Sequence, residues 1–354
     1  MVRFSYMHLP AYPLDDSIEM LKLADELGYY AAYSVDETWW KDMWILFAAA
    51  ARETKQIRLG PNVTHVIMRD PAHVVQMLAT LDDLSGGRAD CVLSFGNQSL
   101  LPQHGIDIAG MKPLSRVIEA KNVMRSLLDN GAVSHEGDFF KYAGLWTLAR
   151  PVQERLPIKL GAMGGPRSFF VGGEQFDGVH QAIGCSRETY EYMMEHVKAG
   201  AEKAGRNWRD LDLGAWLVFA CSEDSAAAKE TARIMVAFYL ASMPEQQLQR
   251  HGLSGEAIKP ILDAFAAGDV PKALDLTTPE IGEMLSIAGT PEECVAKLQR
   301  DILPTGINHI VAAIVDPILV KAFTGRDIEG CPDTPGQLRL ISERVVPAVQ
   351  AVPA

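Results

Sequence analysis

The sequence of 354 residues has few cysteines, and they are scattered. Its five cysteines form no Cys-x-x-Cys pair and have no paired histidines nearby, so the sequence encodes neither a disulfide framework nor a zinc site. No apolar stretch reaches the roughly 18 residues that a membrane-spanning helix needs. The first residues also lack the basic segment and long apolar run of a secretory signal. We therefore expect a cytoplasmic protein that binds no metal and no membrane.

Positive charge is also scarce, with 33 Lys and Arg against 45 Asp and Glu and a formal net charge of −12. Such a surface repels phosphate backbones and anionic lipid, so we expect no nucleic-acid partner. The sequence has no Walker lysine, no Ser or Cys nucleophile elbow and no zincin helix, which disfavours hydrolysis and phosphoryl transfer. The hydrophobic share of 48% is typical of a globular enzyme, and a small molecule is the expected substrate.

Short runs rich in β-forming residues alternate with amphipathic helical patterns. Because each intervening helix can cover a pair of parallel strands, this alternation predicts an α/β fold, a (β/α)8 TIM barrel whose sheet closes on itself. An open doubly wound sheet is disfavoured because no Gly-x-Gly-x-x-Gly turn follows the first strand. The eight predicted strands are 2–8, 30–35, 57–63, 89–95, 158–162, 178–183, 213–221 and 309–314.

We expect one domain over residues 1–354 with two insertions in the barrel pattern. Alternation around Gly137 and Asp138 predicts a hairpin near 132–142. The helical pattern from 225 to 303 is too long for one connecting helix, so we predict a helical insertion near 244–303. In a barrel, the carboxyl ends of the strands and the loops that follow them form the active site, which limits where candidate residues can lie.

Two adjacent carboxylates, Asp36 and Glu37, end the second predicted strand, and Trp39 and Trp40 follow them. Burial against the tryptophans would raise the pKa of one carboxyl, which could then serve as a general acid beside an ionised neighbour. The alternative is that both carboxylates cap the next helix and face water.

A glycine-rich turn follows the fifth predicted strand and opens a helix. Gly164, Gly165, Pro166 and Arg167 would direct backbone N–H groups and the positive end of the helix dipole toward a phosphate, with Arg167 adding charge. The same four residues also fit an ordinary turn between a strand and a helix.

Other segments that follow predicted strands carry polar groups. Gly60 and Pro61 before Asn62 indicate a bulge at the end of the third strand. The side-chain amide of Asn97 follows the fourth strand and can hydrogen-bond a polar ring system, or only water and backbone. Residues 183–187, at the end of the sixth strand, are a further candidate binding segment. The single histidines near strand ends have no metal-binding spacing.

Several segments taken together resemble the bacterial-luciferase-like superfamily. Within it the chain is similar to the branch that uses the deazaflavin coenzyme F420, in particular the methylenetetrahydromethanopterin reductase group. The segments that carry this resemblance are Tyr33-Ser34-Val35-Asp36-Glu37, residues 57–64, Arg69-Asp70-Pro71-Ala72, residues 79–88, Gly164-Gly165-Pro166, Thr290-Pro291-Glu292-Glu293 and Gly306-Ile307. The resemblance spans nearly the whole chain.

The resemblance implies a (β/α)8 barrel with F420 at its carboxyl-terminal mouth and hydride transfer between C5 of the deazaflavin ring and a small organic substrate. It also implies a cis peptide bond at Asn62-Val63, Asp36 near the ring, and Gly164 and Gly165 at the cofactor phosphate. On this basis we assign to the cofactor site the residues Asp36, Asn62, Val63, Thr64, Asn97, Gly164, Gly165, Pro166, Arg167, Gly184 and Cys185.

One position departs from the resemblance. Many F420-dependent relatives have a histidine after the aspartate, whereas this chain has Glu37, whose pKa burial would have to raise. We assign catalysis to Glu37 and Asp36. The loop 96–105 lacks an acidic residue of sugar-phosphate-oxidising relatives, so glucose 6-phosphate is not the expected substrate.

Two other functions stay open: an FMN-dependent monooxygenase of the luciferase type, and a catalytically silent barrel that binds only a ligand or partner. A homodimer or higher homo-oligomer is expected because residues 48–51 and 74–81 look apolar over more than one helix face, and relatives dimerise there.

Overall fold

The computed structural model describes residues 2–351, which fall into two compact units. The amino-terminal unit consists of His8–Glu26 and Tyr30–Gly161. The carboxy-terminal unit consists of residues 2–7, Leu27–Tyr29 and residues 162–351.

The strands are β1 (Arg3–His8), β2 (Ala31–Ser34), β3 (Arg58–His65), β4 (Cys91–Ser94), β5 (Ala132–Glu136), β6 (Lys141–Trp146), β7 (Ile158–Ala162), β8 (Gly178–Ala182), β9 (Asp212–Cys221), β10 (Ser286–Gly289) and β11 (His309–Ile314). The α-helices are α1 (Leu14–Glu26), α2 (Met43–Glu53), α3 (Pro71–Ser85), α4 (Pro113–Asn130), α5 (Pro166–Gln175), α6 (Arg187–Lys203), α7 (Ser225–Leu240), α8 (Glu245–Arg250), α9 (Gly255–Ala266), α10 (Val270–Leu276), α11 (Pro279–Leu285), α12 (Pro291–Lys297), α13 (Pro317–Thr324), α14 (Thr334–Leu340) and α15 (Val346–Gln350). Short 3-10 helices lie at Leu101–His104, Trp208–Asp210 and Leu303–Thr305, and π-helical turns at Leu298–Ile302 and Ile341–Val345.

Parallel strands organise the amino-terminal unit. β2 pairs with β3, β3 with β4 and β4 with β7, all in parallel. The helices between them begin where a side chain accepts hydrogen bonds from N–H groups of the first turn. Asp42 accepts from the N–H groups of Trp44 and Ile45 at the start of α2, and Asp70 accepts from Ala72 at the start of α3.

The longest strand, β9, organises the carboxy-terminal unit, and all of its residues are buried. It pairs in parallel with β8, with β11 and, near its carboxyl end, with β10, while β1 pairs in parallel with β11. Continuous burial explains the apolar run of β9, because both faces of a strand in a parallel α/β sheet are covered. The order of strands and helices over residues 2–351 is that of the (β/α)8 fold, which confirms the predicted fold class.

The two predicted insertions have different outcomes. β5 and β6 pair antiparallel, so the predicted hairpin is present, and it extends beyond residue 142 to Trp146. The segment predicted as purely helical contains the strand β10, which pairs with Val218–Cys221 of β9. The four residues of β10 follow α11 directly, so the helical pattern continues through them, and only pairing with β9 reveals the strand. The single-domain prediction for residues 1–354 stays a prediction.

The apolar residues that suggested self-association are mostly covered within the chain. Val74 and Leu78 on α3 and Ala50 on α2 are each 0% exposed. Ile45, which lies outside those residues on α2, has 67% of its surface exposed. The apolar character of residues 74–81 therefore reflects packing inside the amino-terminal unit.

Each helix within residues 2–351 is too short or too polar to cross a membrane. The longest, α4, has 18 residues and carries charged side chains along its length.

A buried lysine lies among the strands of the amino-terminal unit. Lys159 on β7 is 0% exposed, and its Nζ lies 2.8 Å from Oδ2 of Asp90 and 2.7 Å from the hydroxyl oxygen of Tyr33. The Tyr33 hydroxyl donates to the same Asp90 oxygen at 2.8 Å, and Arg58 Nε lies 3.7 Å from it. Lys159 and Asp90 therefore compensate each other's charge in a part of the interior that water does not reach.

We expect Lys159→Met to lower the free energy of unfolding by about 3 kcal/mol, because it leaves the Asp90 carboxylate buried with less compensation. Urea unfolding followed by circular dichroism measures the change. The matched control, Lys259→Met, breaks an exposed pair with Asp263 and should cost at most about 0.5 kcal/mol. Equal losses in the two variants would contradict this account of Lys159.

Candidate functional site

Asp36 is held by several donors at the end of β2. Its side chain is buried and accepts hydrogen bonds from the Thr64 hydroxyl at 2.8 Å and from the Trp44 indole N–H at 3.1 Å. The Arg69 guanidinium approaches both carboxylate oxygens, with Nη2 2.7 Å from Oδ1 and Nε 3.2 Å from Oδ2. Two-point contact with an arginine fixes the carboxylate plane and compensates its charge. Asp36 is thus held in a fixed position in the amino-terminal unit.

The third strand has the irregular backbone that its sequence predicted. The peptide bond between Asn62 and Val63 is cis, as expected from the family resemblance. The pairing of β3 with β4 shifts register between Asn62 and Thr64, which confirms the predicted bulge. The Val63 carbonyl accepts a hydrogen bond from the Asp36 backbone N–H at 3.2 Å. Asp36, Val63 and Thr64 are therefore in direct contact.

Gly161 on β7 gives this segment the room it needs. A Cβ atom at position 161 would lie 2.4 Å from Cγ1 of Val63, a distance that side chains do not tolerate. Only glycine therefore allows β7 to run this close to Val63, because any larger residue would displace that side chain.

Glu37, the second carboxylate, has a different environment. The side-chain amide of Asn97 donates to its Oε1 at 3.0 Å, and the Trp40 indole N–H donates to Oε2 at 3.3 Å. Burial raises the pKa of Glu37 above its ordinary value, while these two hydrogen bonds lower that pKa by less. The predicted raised pKa of one carboxyl is confirmed in direction. The alternative capping role belongs to Asp42, which supplies the side-chain cap of α2.

The turn that opens α5 lies in the carboxy-terminal unit. Gly164 adopts a φ of 82°, and its N–H donates to the buried side-chain oxygen of Gln181 at 3.2 Å. Gly165 is the N-cap residue, Pro166 is the first residue of the helix, and Arg167 is exposed. No side-chain oxygen caps α5, so the N–H groups of its first turn can donate hydrogen bonds to an anion.

The loop after β8 contains Gly184 and Cys185. Gly184 lies against Thr189, whose Cγ2 would be 2.8 Å from a Cβ at position 184. Burial raises the pKa of the Cys185 thiol to about 11, so this cysteine is neutral at physiological pH. Any contact from Cys185 to a ligand would therefore come from its backbone or from the uncharged thiol.

Sequence reasoning missed three residues that hold these two loops. Gln247 on α8 is buried, and its side-chain amide donates to the carbonyl oxygens of Ala182 and Ile183. Ile183 has a φ of 49°, an unfavourable left-handed conformation for a β-branched residue. Gln247 thus binds the carbonyl of a strained residue. Because Gln247 lies near the start of the predicted helical insertion, the sequence pattern did not predict contacts with the loop after β8.

Arg250 and His251 extend the same contact. Arg250 Nη1 donates to the Gly164 carbonyl at 3.4 Å, and its guanidinium lies 3.6 Å from the ring centre of Tyr192. His251 Nδ1 donates to the Gln247 carbonyl at 2.9 Å, while its Nε2 accepts from the Cys185 N–H at 3.4 Å. Burial lowers the pKa of His251, which favours the neutral ring that this pattern requires. The spacing of positions 247, 250 and 251 brings the last two residues, one at the end of α8 and one just after it, to the side of the helix where Gln247 lies.

Comparisons with known proteins show the family to which the chain belongs. Residues 2–309 match the family model described as luciferase-like monooxygenase. The chain is 31% identical over 332 residues to the protein named 5,10-methylenetetrahydromethanopterin reductase of Methanolobus tindarius, an alignment that covers 92% of this chain and 99% of that protein.

Solved structures show the same fold. The coenzyme F420 dependent tetrahydromethanopterin reductase from Methanopyrus kandleri matches with a TM-score of 0.87 and 27% identity, over 98% of this chain and 99% of that chain. A more distant match, the FMN complex of the oxygenating constituent of 3,6-diketocamphane monooxygenase from Pseudomonas putida, has a TM-score of 0.68 and 18% identity, over 98% of each chain. With the family match and full-length likeness together, the chain belongs to the luciferase-like monooxygenase family.

Proposed function

We propose that this chain is an oxidoreductase that uses coenzyme F420 to transfer a hydride to or from a small organic substrate. The observation that carries the proposal is the pair of adjacent carboxylates that follow β2. The Thr64 hydroxyl donates a hydrogen bond to Asp36, and the Asn97 side-chain amide donates one to Glu37. The similarity to proteins named as F420-dependent or methanopterin reductases supports it over nearly the full length. When bound, F420 supplies the hydride donor or acceptor at C5 of its ring.

The proposal assigns ring contacts to residues of the amino-terminal unit. Asp36, paired with Arg69, would hold its neighbours in fixed positions beside the ring. Asn62, Val63 and Thr64 would contact the ring, and Asn97 would orient Glu37. Glu37 is the proposed proton donor, because burial raises its pKa and makes its protonated form available at higher pH than in water.

Phosphate contacts are proposed for the carboxy-terminal unit. The N–H groups of Gly165 and Arg167 and the charge of Arg167 suit an anion, because the first turn of α5 has no side-chain cap. Pro166 loses no hydrogen bond at this position, because the N–H of the first helical residue has no partner within the helix. Gly184 and Cys185 are proposed to add contacts from their own loop, which His251 holds through the Cys185 N–H.

We expect the purified protein to bind F420 in preference to FMN in parallel calorimetric titrations. Gly164→Ala should weaken F420 binding at least about tenfold, which is about 1.4 kcal/mol, because a φ of 82° disfavours alanine and its Cβ would lie 2.9 Å from Gln247 Oε1.

The matched control is Gly268→Ala, at a φ of 74° with no atom near the new Cβ. It carries the same backbone cost without contact to the turn and should bind F420 as the unchanged protein does. Tight FMN binding with oxygen-dependent substrate consumption would instead support the luciferase-type monooxygenase. Binding of neither cofactor would leave only the catalytically silent barrel.

We expect Glu37→Gln to keep the F420 affinity and to lower kcat, because glutamine has nearly the same shape but cannot act as a general acid. In the direction that consumes a proton, kcat of the unchanged protein should fall as pH rises through the raised pKa of Glu37. The variant should lack this fall. A variant with unchanged kcat and an unchanged pH profile would remove Glu37 from the mechanism.

A homo-oligomer is also proposed. Ile45 and Trp39, both in the amino-terminal unit, are 67% and 46% exposed, which is unusual for large apolar side chains. Sedimentation equilibrium should show a mass above 38.7 kDa, and Ile45→Glu should shift the distribution toward that monomer mass. A monomer at all tested concentrations would contradict the proposal.

A further inference from the structure

Two histidines and an aspartate meet inside the carboxy-terminal unit, in the amino-terminal halves of their strands. His180 on β8 and His309 on β11 are both paired in register with Gly214 of the intervening strand β9. Asp212 lies two residues before Gly214 on β9, so its side chain points to the same face as position 214. The three strands thus direct these side chains to one place.

Glycine at position 214 makes this meeting possible. A Cβ there would lie 2.4 Å from Cδ2 and 2.6 Å from Cγ of the His180 ring. The His180 ring therefore lies against the bare backbone of Gly214. Its centroid is 5.1 Å from that of the His309 ring, and the two ring planes are nearly perpendicular. Both rings are buried, with His180 at 1% and His309 at 0% exposure.

The ligand atoms are close enough for one metal ion. His309 Nδ1 lies 2.8 Å and His180 Nε2 lies 3.3 Å from the same oxygen, Oδ1 of Asp212, and the three atoms lie within 4.8 Å of one another. With zinc–ligand distances of about 2.0–2.1 Å, tetrahedral ligands are separated by about 3.3 Å. The distance from His180 Nε2 to Asp212 Oδ1 already has this value. The distance from His309 Nδ1 to the same oxygen would have to increase by about 0.5 Å.

The surroundings supply partners that orient such ligands. Ser5 Oγ lies 2.6 Å from Nε2 of His309, the ring nitrogen that faces away from Asp212. Arg3 Nη1 donates to the other Asp212 oxygen, Oδ2, at 3.2 Å. Metal-bound histidines and carboxylates usually have hydrogen-bond partners at their remaining atoms, and these partners fix the ligand orientation.

We propose that the carboxy-terminal unit binds one divalent transition-metal ion, preferably Zn²⁺, through His180 Nε2, Asp212 Oδ1 and His309 Nδ1. Two imidazoles and one carboxylate form a ligand set that zinc favours, with water in the remaining tetrahedral position. Both imidazoles would bind the metal as neutral rings through an unprotonated nitrogen, so His309 would carry its proton on Nε2, which donates to Ser5 Oγ, and His180 would carry its proton on Nδ1. The ion joins β8, β9 and β11, so its role is to stabilise the sheet.

Sequence reasoning predicted no metal site because the ligands are distant along the chain. His180 is 32 residues and His309 is 97 residues from Asp212. Sequence motifs detect ligands at short, regular spacings, whereas this set depends on the register of three strands.

The full-length protein is first treated with chelator and dialysed, and one equivalent of Zn²⁺ or Co²⁺ is then added. We expect the zinc content after gel filtration to reach one ion per chain, and the thermal midpoint to rise relative to the chelated sample. With Co²⁺, a visible absorption band typical of tetrahedral nitrogen and oxygen ligands should appear. This wild-type measurement does not depend on any variant folding, nor on F420 binding or turnover.

Variants then identify the ligands. His309→Gln should lose the cobalt band and the zinc-dependent rise in Tm. The matched control His135→Gln changes another histidine paired with a carboxylate, Glu119, and should keep both signals. Zinc content near zero in the wild-type protein, or a cobalt band that survives His309→Gln, overturns the proposal and leaves a purely hydrogen-bonded network.

Discussion

Buried charge must find a partner of opposite charge or a hydrogen-bond donor, and this constraint governs the interior of both units. An ionised group removed from water loses several kcal/mol of hydration that only close partners restore. In the amino-terminal unit, Lys159 meets Asp90 and Tyr33 on neighbouring strands. In the carboxy-terminal unit, Asp212 meets His180, His309 and Arg3. Parallel strands that direct polar side chains inward are held in register by such contacts.

The same constraint separates the roles of the two adjacent carboxylates. Asp36 has an arginine at both oxygens together with a hydroxyl and an indole donor, so its negative charge is well compensated. Glu37 accepts hydrogen bonds from two uncharged donors, Asn97 and Trp40, and burial raises its pKa. Neighbours in sequence thus become a carboxylate held in place by an arginine and a group suited to carry a proton.

The short helix α8 shows how an insertion can serve a barrel scaffold. Side chains of α8 and of His251, the residue that follows it, bind backbone groups of the turn after β7 and the loop after β8, all within the carboxy-terminal unit. Backbone amides bind anions well only when their directions are fixed beforehand, since ordering them on binding costs conformational entropy. Gln247 and Arg250 supply that order from outside the βα pattern.

The sequence by itself determined the (β/α)8 order, the irregular end of β3 and the positions of Asp36, Glu37 and Gly164, because these depend on local periodicity, glycine and strand ends. It could not reveal strand β10, whose four residues are extended only because they pair with β9. It also could not reveal the partners of Gln247 or the meeting of His180, Asp212 and His309. Those contacts join residues tens of positions apart, so strand register and helix packing decided them, and no local pattern encodes either.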